Sequence, residues 1–205
     1  MRTRVEIKND AKIQLDGKRG TAALITLLLM LVSFIPNICT KFIEPGAVLM
    51  LINVGIEIYI TLLSIGCIIF YYAVMRGEEV SVEMLFSGYQ YYLKGFFIYL
   101  LYGLAIFIGT VLLIIPGIIF ALMYSQAVYI YIENPEMGVI ECMKTSRLAM
   151  DGHKTDLLVL NLSFIGWVLL CAITCGILTL YVAPYAGVAQ INFHADLMKE
   201  YMRRQ

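Results

Sequence analysis

A single carboxylate, Glu57, lies inside a long apolar stretch and is the residue whose type and position most favour chemistry. It follows about ten uncharged residues, or roughly 15 Å at about 1.5 Å per helical residue. A carboxylate near the middle of a hydrocarbon layer is costly unless it is paired, hydrogen-bonded or protonated. Asn53, Thr61 and Ser64 are at helical spacing from Glu57, so all four side chains fall on one helix face. This polar stripe predicts a contact with other helices or with a cavity.

Two interpretations of Glu57 remain open from the sequence. Counting residues from the predicted turns places Ser125, Gln126 and Tyr185 at a similar depth in the membrane. In the first interpretation, Glu57 belongs to a proton or cation site or to the polar lining of a ligand cavity. In the second, it is a neutral acid that forms a structural hydrogen bond between helices.

Composition places the chain among membrane proteins. Hydrophobic residues make up 60% of the 205 residues, charged residues only 15%, and the mean hydropathy is +0.82. An ordinary soluble domain carries about a quarter charged residues, and its core cannot enclose this much apolar surface. The net charge is zero, so electrostatics gives no reason to expect nucleic acid as a partner.

Uncharged runs long enough to cross a bilayer, which takes about 20 helical residues, recur along the chain. Two runs are too long for one crossing, and we expect Pro116–Gly117 and Cys175–Gly176 to divide them, because these pairs interrupt helices or permit turns. The sequence therefore predicts an all-α membrane protein with a single polytopic domain, in which six transmembrane helices form three hairpins. The predicted spans are 20–38, 47–75, 95–115, 118–132, 157–174 and 177–195.

Polar or amphipathic segments precede the predicted hairpins. Residues 1–19 form a lead of mixed charge, which is either a short surface helix or a solvated tail. The apolar residues expected on one side of that helix are Val5, Ile7, Ala11 and Leu15. Apolar residues at helical spacing predict interfacial helices over 81–93 and 135–151, with Ser81 and Asn134 as N-caps.

In this predicted topology, nearly all basic residues fall on one side of the membrane. With a cytoplasmic N-terminus, six spans return the C-terminus to the same side, and all of the 15 Lys and Arg except Lys41 face the cytoplasm. This bias predicts that both termini and the interfacial helices are cytoplasmic. Ordinary positive-inside anchoring explains these cations, but some are also candidate contacts for anionic lipid headgroups. These candidates are Lys144, Arg147, Lys154, Arg203 and Arg204.

The sequence contains no combination of residues typical of an enzyme or a metal centre. There is no phosphate-binding glycine loop, carboxylate pair, nucleophile motif or HExxH motif. The cysteines are spaced as isolated small apolar residues and not as metal-ligand pairs. His153 and His194 fall at the predicted cytoplasmic boundary, as polar interface residues or, alternatively, as a two-histidine site. We therefore predict no metal, no cofactor and no enzymatic activity.

The second half of the chain contains several short motifs that are typical of one protein family. They are IPGI at 115–118, ENP at 133–135, SR at 146–147, GHK at 152–154, SFIGW at 163–167 and APY at 183–185. Together they resemble a bacterial integral membrane family known only as domain of unknown function 975, and the similarity covers most of the chain. The resemblance implies six spans and a bacterial plasma membrane, and it adds no catalytic residue.

Three classes of function remain open. The first is a non-enzymatic protein that binds a partner or lipids, favoured because the polar features outside the predicted spans lie on the cytoplasmic side. The alternative is a small transporter or channel with a proton, cation or ligand site at Glu57. An intramembrane enzyme is the least favoured, because it needs a second reactive group facing Glu57. The expected partners are the lipid bilayer, including anionic headgroups, and an unidentified protein or a second copy of the chain.

Overall fold

The computed structural model describes residues 2–40 and 46–204, without the side chains of Asn37 and Cys39. The predicted polar link at Lys41 lies outside these residues. The described part of the chain is helical and contains no strand. Its helices are α1 (Arg4–Gln14), α2 (Arg19–Cys39), α3 (Ala47–Arg76), a 3₁₀ helix (Val82–Tyr91), α4 (Tyr92–Leu112), α5 (Ile114–Tyr124), α6 (Ala127–Glu133), α7 (Val139–Ala149), α8 (Lys154–Leu162), α9 (Ile165–Ile173) and α10 (Thr179–Arg204).

Five segments of the described chain are long and apolar enough to cross a membrane. They are Arg19–Pro36, Ala47–Arg76, Val82–Leu112, Ile114–Glu133 and Lys154–Ile173. The sixth predicted span, 177–195, lies mostly in α10 and is not among them. Polar residues of α10 such as Gln190, Asn192 and His194 lower its hydropathy. Length and composition therefore support five of the six predicted spans.

Burial is concentrated towards one end of the helices. In α3 the buried residues lie between Leu63 and Val74, whereas the first half of the helix is largely exposed. Helix α9 has no buried residue, and the buried residues of α10 lie between Val182 and Met198. Large apolar side chains such as Leu51, Phe107 and Ile173 are exposed. Extensive exposed apolar surface of this kind is typical of helices that contact lipid.

Hydrogen bonds from charged side chains connect the ends of several helices to neighbouring loops. Lys18, before α2, donates from Nζ to the carbonyl oxygen of Glu78, after α3, at 2.6 Å. Lys94 near the start of α4 donates to the carbonyl oxygen of Pro135, after α6, at 2.7 Å. Arg204 at the end of α10 donates to a carbonyl oxygen in the loop between α7 and α8. We call the side of the molecule where these charged residues gather the charged end.

Helix α1 begins at a capping box. Thr3 donates its backbone N–H to the Glu6 carboxylate at 2.7 Å, and Glu6 donates its own N–H to the Thr3 hydroxyl oxygen at 3.4 Å. The hydrogen bond from the Thr3 backbone is the main cause of a lowered pKa of Glu6. The lead is therefore helical and is not a solvated tail.

The apolar side of α1 packs against α10. Its buried residues are Ile7, Ala11 and Leu15. Val5 is exposed, contrary to the expectation, because it lies about 160° around the helix from Ile7. Arg2 donates from Nε to the Asp196 carboxylate of α10 at 2.7 Å, and this hydrogen bond raises the pKa of Arg2. These contacts hold α1 at the charged end.

The break between α4 and α5 lies at Leu113, before the predicted turn at Pro116–Gly117. Leu113 has an extended backbone, with φ −168° and ψ 152°. Pro116 lies in the first turn of α5, where its missing N–H would have had no helical partner, so it does not interrupt the helix. Gly117 allows α5 to approach α4 closely, since a Cβ at this position would lie 2.4 Å from the Thr110 hydroxyl oxygen.

The first predicted interfacial helix, 81–93, forms the 3₁₀ helix and continues directly into α4. It packs against α3, because Leu85 is buried and Gly66 of α3 contacts the backbone of Leu85. This packing places the start of α4 beside the inner half of α3. The 3₁₀ helix therefore contributes to the protein core.

The second predicted interfacial helix, 135–151, begins later than expected, at Val139. Residues 134–137 form a turn, in which the Met137 N–H donates to the Asn134 carbonyl oxygen at 3.1 Å. The N-cap is therefore Gly138, whose N–H donates to the Glu141 carboxylate at 3.4 Å. Because this glycine has no side chain to cap the helix, the sequence pattern favoured Asn134 instead.

Candidate functional site

A cavity of about 360 Å³ lies between α3, α4, α5, α6, α8 and α10. Its polar lining residues are Tyr99, Tyr102, Tyr124, Ser125, Gln126, Tyr129, Asn161 and Gln190, and its apolar lining residues are Ile68, Ala121, Leu122, Val128 and Leu157. None of these described lining residues is charged. The volume falls at the lower end of the roughly 300–1,000 Å³ range of ligand pockets. We call this space the tyrosine cavity.

The tyrosine hydroxyls of the cavity are available to a bound molecule. Within the described ranges, the hydroxyls of Tyr99, Tyr102, Tyr124 and Tyr129 make no hydrogen bond, and none of the four is completely enclosed. Each hydroxyl can therefore donate a hydrogen bond to a ligand and accept one from it.

Gln126 forms the inner wall of the cavity and is held by two neighbours. Its Nε2 donates to the Ser125 hydroxyl oxygen at 3.0 Å, and its Oε1 lies 3.0 Å from Nδ1 of His194. The other ring nitrogen of His194, Nε2, lies 3.3 Å from the Glu133 carboxylate. The His194 ring therefore bridges two acceptors, the Gln126 amide oxygen and the Glu133 carboxylate.

Aromatic rings enclose His194, which is fully buried in α10. The Tyr129 ring lies against it, with ring centroids 5.4 Å apart, and the Tyr72 ring contacts it edge to face at 6.4 Å. The Tyr72 hydroxyl is buried near Glu133 but makes no hydrogen bond of regular geometry with any described residue. These contacts fix the orientation of the imidazole and, through it, the orientation of the Gln126 amide.

Two amide side chains lie on the exposed side of the cavity. Gln190 of α10 donates from Nε2 to Oδ1 of Asn161 in α8 at 2.5 Å. Asn161 is exposed, and it lies about 10 Å along the helix from Lys154 at the charged end. Asn161 belongs to a segment able to cross a membrane, and together with the half-buried Gln190 it places two amides where the cavity meets the exposed surface.

The structure does not bring Glu57 to this cavity. Glu57 and Asn53 are exposed on the first half of α3, whereas the cavity-lining residue of α3 is Ile68, about 16 Å further along the helix. Thr61 and Ser64 donate to carbonyl oxygens of their own helix, at 2.8 and 2.9 Å. The four polar residues share one helix face, as predicted, but only Asn53 and Glu57 lack a partner among the described residues.

The structure places only some of the other candidates for the polar site at the cavity. Ser125 and Gln126 line the cavity and contact each other. Tyr185 lies outside it and packs edge to face against Phe164, with ring centroids 5.3 Å apart. Of the residues predicted to lie at the depth of Glu57, Ser125 and Gln126 therefore line the cavity, and Tyr185 does not.

His194 and Glu133 are part of the site, although the sequence interpretation treated His194 as an interface residue. A signal was present in α10, where polar side chains alternate at positions 190, 192, 194 and 196. Such spacing places polar groups on opposite sides of a helix, so that the protein must cover most of them. His153 contacts Asp156 and Glu200 instead, and no three His, Cys, Asp or Glu within the described ranges form a metal-binding group.

The five basic residues predicted to contact lipid headgroups have different environments. Lys154 pairs with Asp151 at 3.8 Å, and Arg204 pairs with Glu200 at 2.7 Å. The other three are exposed and have no ion-pair partner in the described part of the chain: Lys144, Arg147 and Arg203. These three cations remain available to anionic groups at the membrane surface.

Helices able to cross a membrane, with a polar cavity among them, are typical of a multi-pass membrane protein. The chain belongs to the family of proteins of unknown function DUF975, whose model matches residues 1–119 and 106–200. This match confirms the resemblance seen in the sequence motifs. No curated protein and no solved structure matches the chain.

Proposed function

We propose that this protein is a non-enzymatic membrane protein that binds an uncharged amphipathic molecule in the tyrosine cavity. The ligand class is a lipid whose small head group carries hydroxyl or carbonyl groups. The observation that carries the proposal is the set of four tyrosines that line an uncharged space and whose hydroxyls have no partner in the described protein. Hydroxyl and amide groups of this kind donate to and accept from neutral polar ligands.

The absence of a countercharge among the described lining residues favours a neutral head group. A buried anion or cation requires a partner of opposite charge, since desolvation of an unpaired ion is strongly unfavourable. His194 does not supply one, because it lies behind Gln126 and is paired with Glu133. The cavity has room for about twelve water volumes of roughly 30 Å³ each, which suits a head group but not a whole lipid. The acyl chains therefore lie outside it, along the exposed apolar surface.

The lining chemistry also supports a non-enzymatic role. The one aliphatic hydroxyl in the cavity, that of Ser125, donates to the Leu122 carbonyl oxygen at 2.9 Å. No described lining residue is a carboxylate, histidine, lysine or cysteine that would activate a nucleophile. The cavity is thus suited to binding and lacks the paired groups of a catalytic site.

For the topology, we propose six crossings of a bacterial plasma membrane with both termini in the cytoplasm. α10 is the sixth crossing, and its polar side chains are tolerated because they are buried against protein and not exposed to lipid. The hydrogen bonds at the charged end are consistent with three helical hairpins that begin and end on one side. The positive-inside bias then places this end in the cytoplasm.

The outer face of α7 is proposed to contact the anionic surface of the membrane. Ile140 and Leu148 are exposed apolar side chains on this short helix, and Lys144 and Arg147 are exposed beside them. Apolar side chains flanked by cations are typical of helices at a bilayer surface. This contact would orient the protein without contributing to the cavity.

The cavity assignment predicts selective stabilisation by neutral lipid. In detergent, excess dioleoylglycerol should raise the free energy of unfolding of the wild-type protein, by about 2.7 kcal/mol at a hundred times the dissociation constant. Dioleoylphosphatidylglycerol, whose head group is charged, should produce little stabilisation through the cavity. Replacing Ala121 by phenylalanine fills the cavity and should abolish the effect of dioleoylglycerol. The measurement is the thermal unfolding midpoint at increasing lipid concentration.

The matched control is Ala23→Phe. Ala23 is half-buried like Ala121, but it lines a separate apolar groove between α2 and α10. This variant should retain the stabilisation by dioleoylglycerol. Equal stabilisation of the Ala121→Phe variant, or stabilisation by the charged lipid alone, would contradict the proposed function.

A further inference from the structure

The first half of α3 extends away from the protein core and carries two polar side chains without a partner. Residues 47–59 of α3 are largely exposed, and the buried part of the helix begins only at Leu63. Asn53 and Glu57 lie one helical turn apart on this exposed half. In the described part of the chain, neither side chain has a hydrogen bond or an ion pair.

The membrane environment makes this exposure unfavourable. Glu57 lies about 15 Å from the start of α3, near the centre of a hydrocarbon layer about 30 Å thick. Acidic and amide side chains at this depth face protein or water in membrane proteins, because lipid provides no hydrogen-bonding partner. Thr61 and Ser64 on the same face each donate a hydrogen bond to a carbonyl oxygen of their own helix, so their polar groups are satisfied. Asn53 and Glu57 make no such hydrogen bond. A partner from outside the described part of the chain is therefore needed.

We infer that this partner is a second copy of the chain, with the exposed halves of two α3 helices packed about a two-fold axis along the membrane normal. The polar pair is self-complementary, because the Asn53 amide of one copy can donate to the Glu57 carboxyl group of the other, and the reverse contact forms by symmetry. Met50 and Val54 lie on the same side of α3, are exposed, and would pack around this polar centre. The interface is distant from the tyrosine cavity and does not depend on the proposed ligand.

Association in liposomes tests this interface. Dimerisation is measured by single-molecule photobleaching of labelled protein at decreasing protein-to-lipid ratios. Wild-type protein should dimerise, and Glu57→Leu should raise the dissociation constant about five- to thirty-fold, the effect expected for loss of interhelical hydrogen bonds in a membrane. Glu57→Gln should retain most of the association, because its amide still donates to and accepts from Asn53.

Met50 and Leu51 provide a matched pair of control positions. Both side chains are 73% exposed, but only Met50 lies on the proposed interface, since Leu51 is about 120° around the helix from Glu57. Met50→Ala should weaken dimerisation, and Leu51→Ala should leave it unchanged. Because both residues are exposed, neither variant should alter the unfolding midpoint of the monomer. A wild-type protein that stays monomeric, a dimer that tolerates Glu57→Leu, or equal effects of Met50→Ala and Leu51→Ala would each overturn the inference.

Discussion

Replacing Gly66 with alanine should lower the free energy of unfolding by about 3 kcal/mol, near the upper end of the usual cost of overpacking a core. A Cβ at this position would lie 1.9 Å from the carbonyl oxygen of Leu85 and 2.5 Å from its carbonyl carbon. These are backbone atoms of the 3₁₀ helix, so the whole segment must move away from α3. Because this segment leads into α4, the displacement should also move Tyr99 and Tyr102 at the cavity and weaken ligand binding.

Gly55 is the matched control for this substitution. It lies in the same helix, but a Cβ there would have no neighbouring atom within 4 Å. Gly55→Ala should therefore leave the unfolding midpoint unchanged or raise it slightly, because alanine favours the helix more than glycine does. The measurement is the thermal unfolding midpoint of both variants in the same detergent. Equal midpoints for Gly66→Ala and Gly55→Ala would show that the 3₁₀ helix does not pack against α3 as described.

Replacing His194 with leucine should lower the free energy of unfolding by about 2–4 kcal/mol. The substitution leaves the buried Gln126 oxygen without a donor and removes the ring nitrogen that faces the Glu133 carboxylate. The cost remains below that of a fully enclosed ion pair, because the Glu133 side chain is partly exposed. Adding Glu133→Gln to this variant should recover part of the stability, because the carboxylate charge is then absent. Unfolding midpoints of the single and double variants measure both effects.

His153→Leu is the comparison for the buried histidine. His153 is also buried, but its partners at the charged end are not: the Asp156 carboxylate is exposed and that of Glu200 is partly exposed. Water can reach these carboxylates when the imidazole is lost, so the cost should stay within about 1 kcal/mol, as for ion pairs with an exposed partner. If both leucine variants destabilise the protein equally, the contacts of His194 with Gln126 and Glu133 do not stabilise the fold as the geometry implies.

The positions of the long helices could be predicted because charged residues mark the ends of their apolar runs. The predicted spans 20–38 and 47–75 differ little from α2 (Arg19–Cys39) and α3 (Ala47–Arg76). The turn at Leu113 was misplaced, because proline at the start of a helix and proline in a turn look alike in a sequence. The sixth predicted span, 177–195, was not supported by hydropathy, because α10 carries alternating polar residues that are typical of a helix covered by protein.

The candidate site was less predictable, because it depends on how separate helices pack. Gln126, Asn161 and Tyr99 are far apart in the sequence and meet only through the close contacts of α4, α6, α8 and α10. Tyrosines near membrane boundaries are also common as interfacial anchors, so their presence alone did not indicate a cavity. Glu57 was easy to identify as a charged residue in an apolar run. The sequence pattern does not show whether its partner lies in the same chain or in another copy.

Native mass spectrometry of the protein released from a mild detergent tests the central claim, that the tyrosine cavity binds a neutral lipid. The wild-type protein and the Ala23→Phe variant should retain a bound lipid without a charged head group, and Ala121→Phe should retain none. The lipid mass and its fragments identify the head group. Retention of the same lipid by Ala121→Phe, or cavity-dependent retention of an anionic phospholipid, would contradict the account.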